Sequence, residues 1–170
     1  TRQERTSKET HMPTKIGVIS DTHGLLRPEV CAALSICDMI IHGGDINKPE
    51  IIEELERIAP LYVVRGNNDK EWAEHLPASL TFTIEDCKFF LIHNKKEVLG
   101  KPEALAGIDV VVYGHSHKYA QDMIDGRLWL NPGSCGKRRF DQAITFAIMD
   151  VDGKDINVEK ITISHNKPIK

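Results

Sequence analysis

Two short stretches, Asp21-Thr22-His23 and His115-Ser116-His117, each place two cation-binding side chains at positions i and i+2. In an extended chain such residues project to the same side, so each pair can close on one small object, for which a divalent cation is the obvious candidate. Asp45 in HGGD, Asn67 in RGNND and His93 in FFLIHN each add one more, which makes seven candidate ligands at five places along the chain. Taken singly, each has an ordinary structural explanation: Asp21 or Asp45 as a helix cap, Asn67 as a turn residue, His93 as a hydrogen-bonded histidine at a strand end. The five places together are hard to dismiss. Carboxylate, amide and imidazole donors without thiolate suit Mn²⁺, Fe or Zn²⁺, and the ligand count exceeds what one ion needs. Two ions are the better count, since the two oxygens of an aspartate can bridge metals about 3.5 to 4 Å apart.

Such residues can meet only if the elements before them end at one place. KIGVIS (15–20) has strand composition, and RPEVCAALSI (27–36) spaces its apolar residues as a helix does. DMIIHGG is a second apolar strand running to Asp45, PEIIEELERIA opens a helix at Pro49, and LYVVRGNND is a third strand ending at Gly66. Strands alternating with helices predict a parallel sheet with right-handed crossovers, which puts the three polar loops on one sheet edge, where α/β proteins bind ligands. The second half is richer in strand: SLTFTI, CKFFLIH and DVVVYGHSH, with only the short helical stretch PEALAG between the last two. Asp125-Gly126 and Asp152-Gly153 each sit between alternating runs and predict two hairpins. Two packed sheets with helices outside is the most economical architecture.

The chain has 170 residues, 41% hydrophobic and 28% charged, enough for one compact core. A formal net charge of -3 argues against general nucleic-acid binding, which needs clustered Lys and Arg. There is no apolar run of membrane-spanning length and no hydrophobic signal core in TRQERTSKET, so a soluble, cytoplasmic protein is expected. Cys31, Cys37, Cys87 and Cys135 are scattered without C-x-x-C pairs, which indicates reduced thiols. Residues 1–12 read as a disordered or vector-derived leader and 13–170 as a single domain.

In the order SDTHG, GGD, GNND, LIHN, GHSH and NPGS, the chain from Lys15 to about Phe140 resembles the calcineurin-like metallophosphoesterases, in particular the small YfcE-type bacterial and archaeal phosphodiesterases. The resemblance implies an α/β fold, a four-layer αββα sandwich of two mixed β-sheets flanked by helices, with a dinuclear metal centre. Carried over by position, Asp21, His23 and His117 hold the first ion, Asn67, His93 and His115 the second, and Asp45 bridges them. The implied cofactors are two divalent ions, Mn²⁺ first, with Zn²⁺, Fe or Ni²⁺ as alternatives. The implied reaction is hydrolysis of a small phosphodiester or nucleotide-like ester by a hydroxide that the two metals activate.

Other residues take lesser parts in that picture. Ser134 and Cys135 read as a turn beside the site, Asn131 as a support for the metal shell, and Lys137 to Arg139 as a solvated face or a phosphate contact. His42 and His75 read as structural. Larger relatives carry a histidine in the slot of Asn68, oriented by an acidic residue; here Asp69 stands behind Asn68, so esters with good leaving groups are favoured. His93-Asn94-Lys95 stands where many small members have His-Gly-His. Two other readings stay open, a non-catalytic protein-binding scaffold of the retromer-subunit type and a phosphomonoesterase. No membrane partner is expected, and the oligomeric state, a homo-oligomer included, is left open.

Overall fold

The computed structural model describes residues 13–67, 69, 73–136 and 143–163. The leader, Asn68 and the basic run Lys137 to Arg139 lie outside the described residues. Element order is β1 (Thr14–Ile19), α1 (Pro28–Leu34), β2 (Met39–His42), α2 (Pro49–Ile58), β3 (Leu61–Val63), β4 (Ser79–Ile84), β5 (Cys87–Ile92), β6 (Val110–Val112), β7 (Ala120–Ile124), β8 (Arg127–Asn131), β9 (Ile144–Asp152) and β10 (Asp155–Ile163). Between β5 and β6, 3₁₀ turns form at Lys95–Glu97 and Pro102–Leu105, so PEALAG makes a 3₁₀ turn rather than an α-helix.

The strands form two mixed five-stranded sheets, ordered β10-β9-β1-β2-β3 and β4-β5-β6-β8-β7. In the first, β1, β2 and β3 are parallel, as the strand-helix alternation predicts. In the second, β5, β6 and β8 are parallel, between antiparallel edge strands β4 and β7. Strand alternation sorts the apolar residues into layers. Ile16, Val18, Ile41, Phe89, Leu91, Val112, Leu130 and Met149 meet between the sheets. Ile19, Ile40, Phe146 and Ile148 face α1 and α2 through Val30, Leu34 and Leu55. Phe90, Val111, Tyr113 and Trp129 cover the opposite face beneath Val98, Leu105 and Ile108 from the 3₁₀ segment. Gly17 is what lets α1 seat closely on β1, since a Cβ there would collide with Leu34 and touch Cys37 at 3.4 Å.

The hairpins refine the sequence reading. Ile124 pairs with Arg127, and Asp125 and Gly126 have φ of 54° and 74°, as a type I′ turn requires. The second hairpin is displaced by one residue: Asp152 pairs with Asp155, so the loop is Gly153-Lys154, with the positive φ (63°) at its first residue. That is the type II′ pattern, for which glycine in first place is the natural choice.

Candidate metal centre

All seven candidate residues follow the carboxyl ends of parallel strands. Asp21 and His23 follow β1, Asp45 follows β2, Asn67 follows β3, His93 follows β5, and His115 and His117 follow β6. The edges of both sheets therefore contribute, and the loops are tied across the gap: His93 Nδ1 lies 2.7 Å from the Gly43 carbonyl, and the Gly114 N–H donates to the His93 carbonyl at 2.9 Å.

Asp21, His23, Asp45 and His117 are buried together, with one potential ligand atom from each lying within 4.8 Å of all the others. Asp21 uses its two oxygens differently. Oδ2 accepts the Ser20 hydroxyl at 2.7 Å and the His115 backbone N–H at 3.1 Å. Oδ1 is buried without a hydrogen-bond partner and faces three imidazoles, with His117, His23 and His93 Nε2 at 3.4, 3.6 and 3.9 Å. Asp45 Oδ2 reaches His93 Nε2 at 3.3 Å and His23 Nε2 at 3.7 Å, so this carboxylate stands between the two groups of histidines.

His93 donates from Nδ1, because a carbonyl can only accept, so its neutral form carries the lone pair on Nε2. That atom is buried without an aligned hydrogen bond. His23 and His117 bring their Nε2 atoms to 3.1 Å, a contact that needs either a proton on one nitrogen or a cation shared by both. Burial on its own would raise the Asp21 carboxyl pKa, but His117, His23, His93 and Ser20 outweigh it and hold the group well below the usual carboxylate range. Burial likewise opposes charge on His93, yet Asp45 and Asp21 raise its pKa above the ordinary histidine value. An ionised buried carboxylate with an orphaned oxygen, facing imidazole nitrogens, is a donor set that fits a divalent cation.

The second trio is more open. His93 is buried, whereas His115 is exposed and sets its ring edge-on to His93, centroids 5.3 Å apart. Asn67 is exposed in the turn after β3.

The i, i+2 geometry arises differently from the expectation. Asp21, His23, His115 and His117 have φ of 54°, 49°, 80° and 67°, and Asp45 has 59°. These are left-handed, not extended, conformations, costly for non-glycine residues and typical of backbone held in place at functional sites. His115 and His117 accordingly diverge: His117 turns to Asp21, and His115 to His93.

Asp69 has a part that the sequence reading did not give it. Oδ2 accepts the backbone N–H groups of Asp45 (2.9 Å) and Gly66 (2.8 Å), and Oδ1 those of Ile46 (2.9 Å) and Asn47 (2.8 Å). Asp69 is thus the clamp of the Asp45 loop. An aspartate beside a glycine turn commonly accepts local N–H groups; that three of the four belong to another loop had no signal in the sequence.

Neighbouring residues hold the loops of the centre. Asn131 is fully buried, and its Nδ2 donates to Gly114 O (3.2 Å) and Ser116 Oγ (3.0 Å), fixing the turn that carries His115. Ser134 donates to the Asp21 carbonyl at 2.8 Å, and burial pushes the Cys135 thiol up to about 12, which removes it as a nucleophile. His42 accepts the Gly44 N–H on Nδ1 and faces Thr22 Oγ1 with Nε2, both at 3.0 Å, a satisfied structural histidine. His75 is exposed in a turn and belongs to no part of the centre. A cavity of about 480 Å³ lies between β7 and β10, lined by residues such as Asp122 and Lys154, and holds none of the seven. Chemistry, not volume, therefore locates the site. No helix among the described residues is long and apolar enough to cross a membrane.

Residues 14–154 match the calcineurin-like phosphoesterase superfamily domain. A probable metallophosphoesterase of Methanothermobacter thermautotrophicus is 34% identical over 157 residues, covering 86% of this chain and 91% of its own. Among solved structures, an archaeal phosphodiesterase superposes with a TM-score of 0.73 at 27% identity, covering 88% of this chain and 99% of its own. Vacuolar protein sorting 29 of Cryptosporidium parvum superposes with a TM-score of 0.74 at 20% identity, covering 91% and 100%, which shows a shared fold. The chain belongs to the calcineurin-like phosphoesterase superfamily.

Proposed function

We propose that the protein is a metal-dependent phosphodiesterase acting on small phosphodiester or nucleotide-like substrates, with a dinuclear centre. The observation that carries this reading is the buried cluster of Asp21, His23, Asp45 and His117 with its orphaned Asp21 Oδ1. Asp21, His23 and His117 would hold one cation, His93, His115 and Asn67 a second, and Asp45 both. Oxygen and imidazole donors without thiolate suit Mn²⁺, Zn²⁺, Fe or Ni²⁺, of which resemblance to the family puts Mn²⁺ first. Bound there, divalent cations supply a water of lowered pKa and neutralise charge on the phosphoryl oxygens.

The chain's own residues set the rest. Ser20 and the His115 N–H fix Asp21 Oδ2, so Oδ1 is presented inward without reorganisation. Asp69 fixes the loop of Asp45. With Asn68 in the slot of the assisting histidine and Asp69 committed to backbone amides, the leaving group departs without help from this pair, which favours substrates whose leaving group is a good one.

The test is hydrolysis of bis(p-nitrophenyl) phosphate by purified protein before and after chelation, with metal analysis of the same samples. Loss in chelator and recovery with Mn²⁺ are expected. Full activity in chelator overturns the reading. Protein without bound metal that hydrolyses neither mono- nor diester would favour a scaffold role, and exclusive monoester hydrolysis would make it a phosphomonoesterase.

A further inference from the structure

Next to the metal centre, a cleft of about 190 Å³ opens between the turns that follow β5 and β6, and His115 belongs to both sites. Its charged lining is Lys95, Lys96 and Lys118, and among the described residues no carboxylate lines it. In a chain of formal net charge -3 this is a local reversal of sign. Lys95 belongs to His93-Asn94-Lys95, the stretch that stands in place of His-Gly-His, and Lys96 follows it.

The cleft is partly organised. Lys95 Nζ lies 4.9 Å from the centre of the Tyr113 ring, a cation-π contact that holds its stem in place. Ser116 Oγ accepts the Lys118 N–H (3.3 Å) and Asn131 Nδ2 (3.0 Å), which leaves its hydroxyl hydrogen to donate. Pockets for whole small molecules start at about 300 Å³, so this one is too small for a complete substrate. It has room for one compact anion, and Lys95, Lys96, Lys118 and Ser116 among its lining residues are of the types that bind phosphate oxygens.

We propose that this cleft is a second-phosphate subsite. It binds a phosphate other than the one being hydrolysed, so the substrates that this centre handles best are esters carrying at least one further phosphate, of the nucleoside bisphosphate or oligonucleotide kind. The proposal rests on the phosphodiesterase reading for the adjoining centre, but the two can fail separately.

Binding is measured first, by calorimetric titration of the metal-loaded protein at low salt with adenosine 3′,5′-bisphosphate, adenosine 5′-monophosphate and inorganic phosphate. Wild type should bind the bisphosphate at least about tenfold more tightly than the monophosphate, as one or two charge-assisted hydrogen bonds provide. Lys96→Gln/Lys118→Gln should lose that preference, and Lys88→Gln/Lys154→Gln, which removes the same charge elsewhere, should keep it. Equal affinity for the two nucleotides, equal loss in both variants, or inorganic phosphate binding as tightly as the bisphosphate would each overturn the subsite. Hydrolysis is then compared for thymidine 5′-(p-nitrophenyl phosphate) with and without a 3′-phosphate in the metal-loaded protein. The 3′-phosphate should raise kcat/KM by about tenfold or more in wild type, and not in Lys96→Gln/Lys118→Gln. Binding preference without any hydrolysis leaves the subsite standing and removes the phosphodiesterase reading. Hydrolysis indifferent to the 3′-phosphate does the reverse.

Discussion

Asp69 Oδ2 accepts the backbone N–H of Asp45 at 2.9 Å, and through that bond one buried carboxylate sets the position of another. The same side chain takes the N–H groups of Ile46, Asn47 and Gly66, so Asp69→Ala would strip the acceptor from four amides at once. At about 1 to 3 kcal/mol for each buried donor left unpaired, and with water reaching some of them, a loss of roughly 3 kcal/mol or more is expected in urea unfolding of the metal-free protein. Asp69→Asn keeps one oxygen and should fall between. It should also bind Mn²⁺ about tenfold or more weakly, since Asp45 is no longer held. Wild-type stability and metal affinity in Asp69→Asn would show that the clamp does not govern Asp45.

Asp45 spans both groups of histidines, 3.3 Å from His93 and 3.7 Å from His23, whereas Asn67 is exposed at the rim. Asp45→Ala should therefore be the most damaging single change at the centre, lowering metal content below half of wild type and the rate by about a hundredfold or more. Asn67→Ala should retain more of both. Elemental analysis alongside diester hydrolysis decides, and near-normal metal content in Asp45→Ala would sink the bridging assignment.

The residue types of this centre were legible because each follows an apolar strand, and the parallel order of β1, β2 and β3 brings the loops to one edge. How the side chains converge was not. Sequence spacing suggests an extended Asp21-Thr22-His23, but both ends are left-handed, a state that β1 and β2 impose through the bonds from Asp21 N to Gly44 O and from His23 N to Asp45 O, each 2.9 Å. Such cross-loop bonds depend on contacts far apart in the chain, which local pattern does not encode. The displaced turn at Gly153-Lys154 has a similar cause, since the pairing of β9 with β10, rather than the Asp-Gly dipeptide, sets the register.

His42 yields a pH dependence. Burial, the largest influence, lowers its pKa from 6.5 to about 4, against the attraction of Asp21 and Asp45. Between those values the unfolded chain takes up a proton that the native imidazole refuses, so the native state is progressively disfavoured as pH falls from 6.5 to about 4. The loss over that window is roughly 3 kcal/mol at 1.36 kcal/mol per pH unit. His42→Asn retains an acceptor for the Gly44 N–H and cannot titrate. His93, whose pKa is shifted in the opposite direction, is present in both proteins. Unfolding in chelator at pH 7 and pH 4.5 should therefore show a smaller drop for the variant, and equal drops would mean that His42 is not neutral in the native state.

Gly114 links the two sheets at the metal centre, and its smallness is what allows the approach. A Cβ there would run into Ser20 Oγ and lie 2.7 Å from Asp21 Oδ2. Ser20 is the residue whose hydroxyl fixes that same oxygen at 2.7 Å, so Gly114→Ala should push the hydroxyl aside and shift Asp21 with it. The expected result is a loss of Mn²⁺ affinity of about tenfold or more, the range seen when a group that orients a metal ligand is lost. Ser20→Ala alone should cost less, because it deletes one hydrogen bond without adding an atom. The double variant makes the argument specific. Removing Oγ gives the new methyl part of its room, so Ser20→Ala/Gly114→Ala should bind metal better than Gly114→Ala does. Residues in contact commonly couple by about 0.5 to 3 kcal/mol, and a coupling in that range, of rescuing sign, is predicted. Strictly additive affinities would show that Gly114 acts through the backbone of its turn instead of through Ser20 and Asp21.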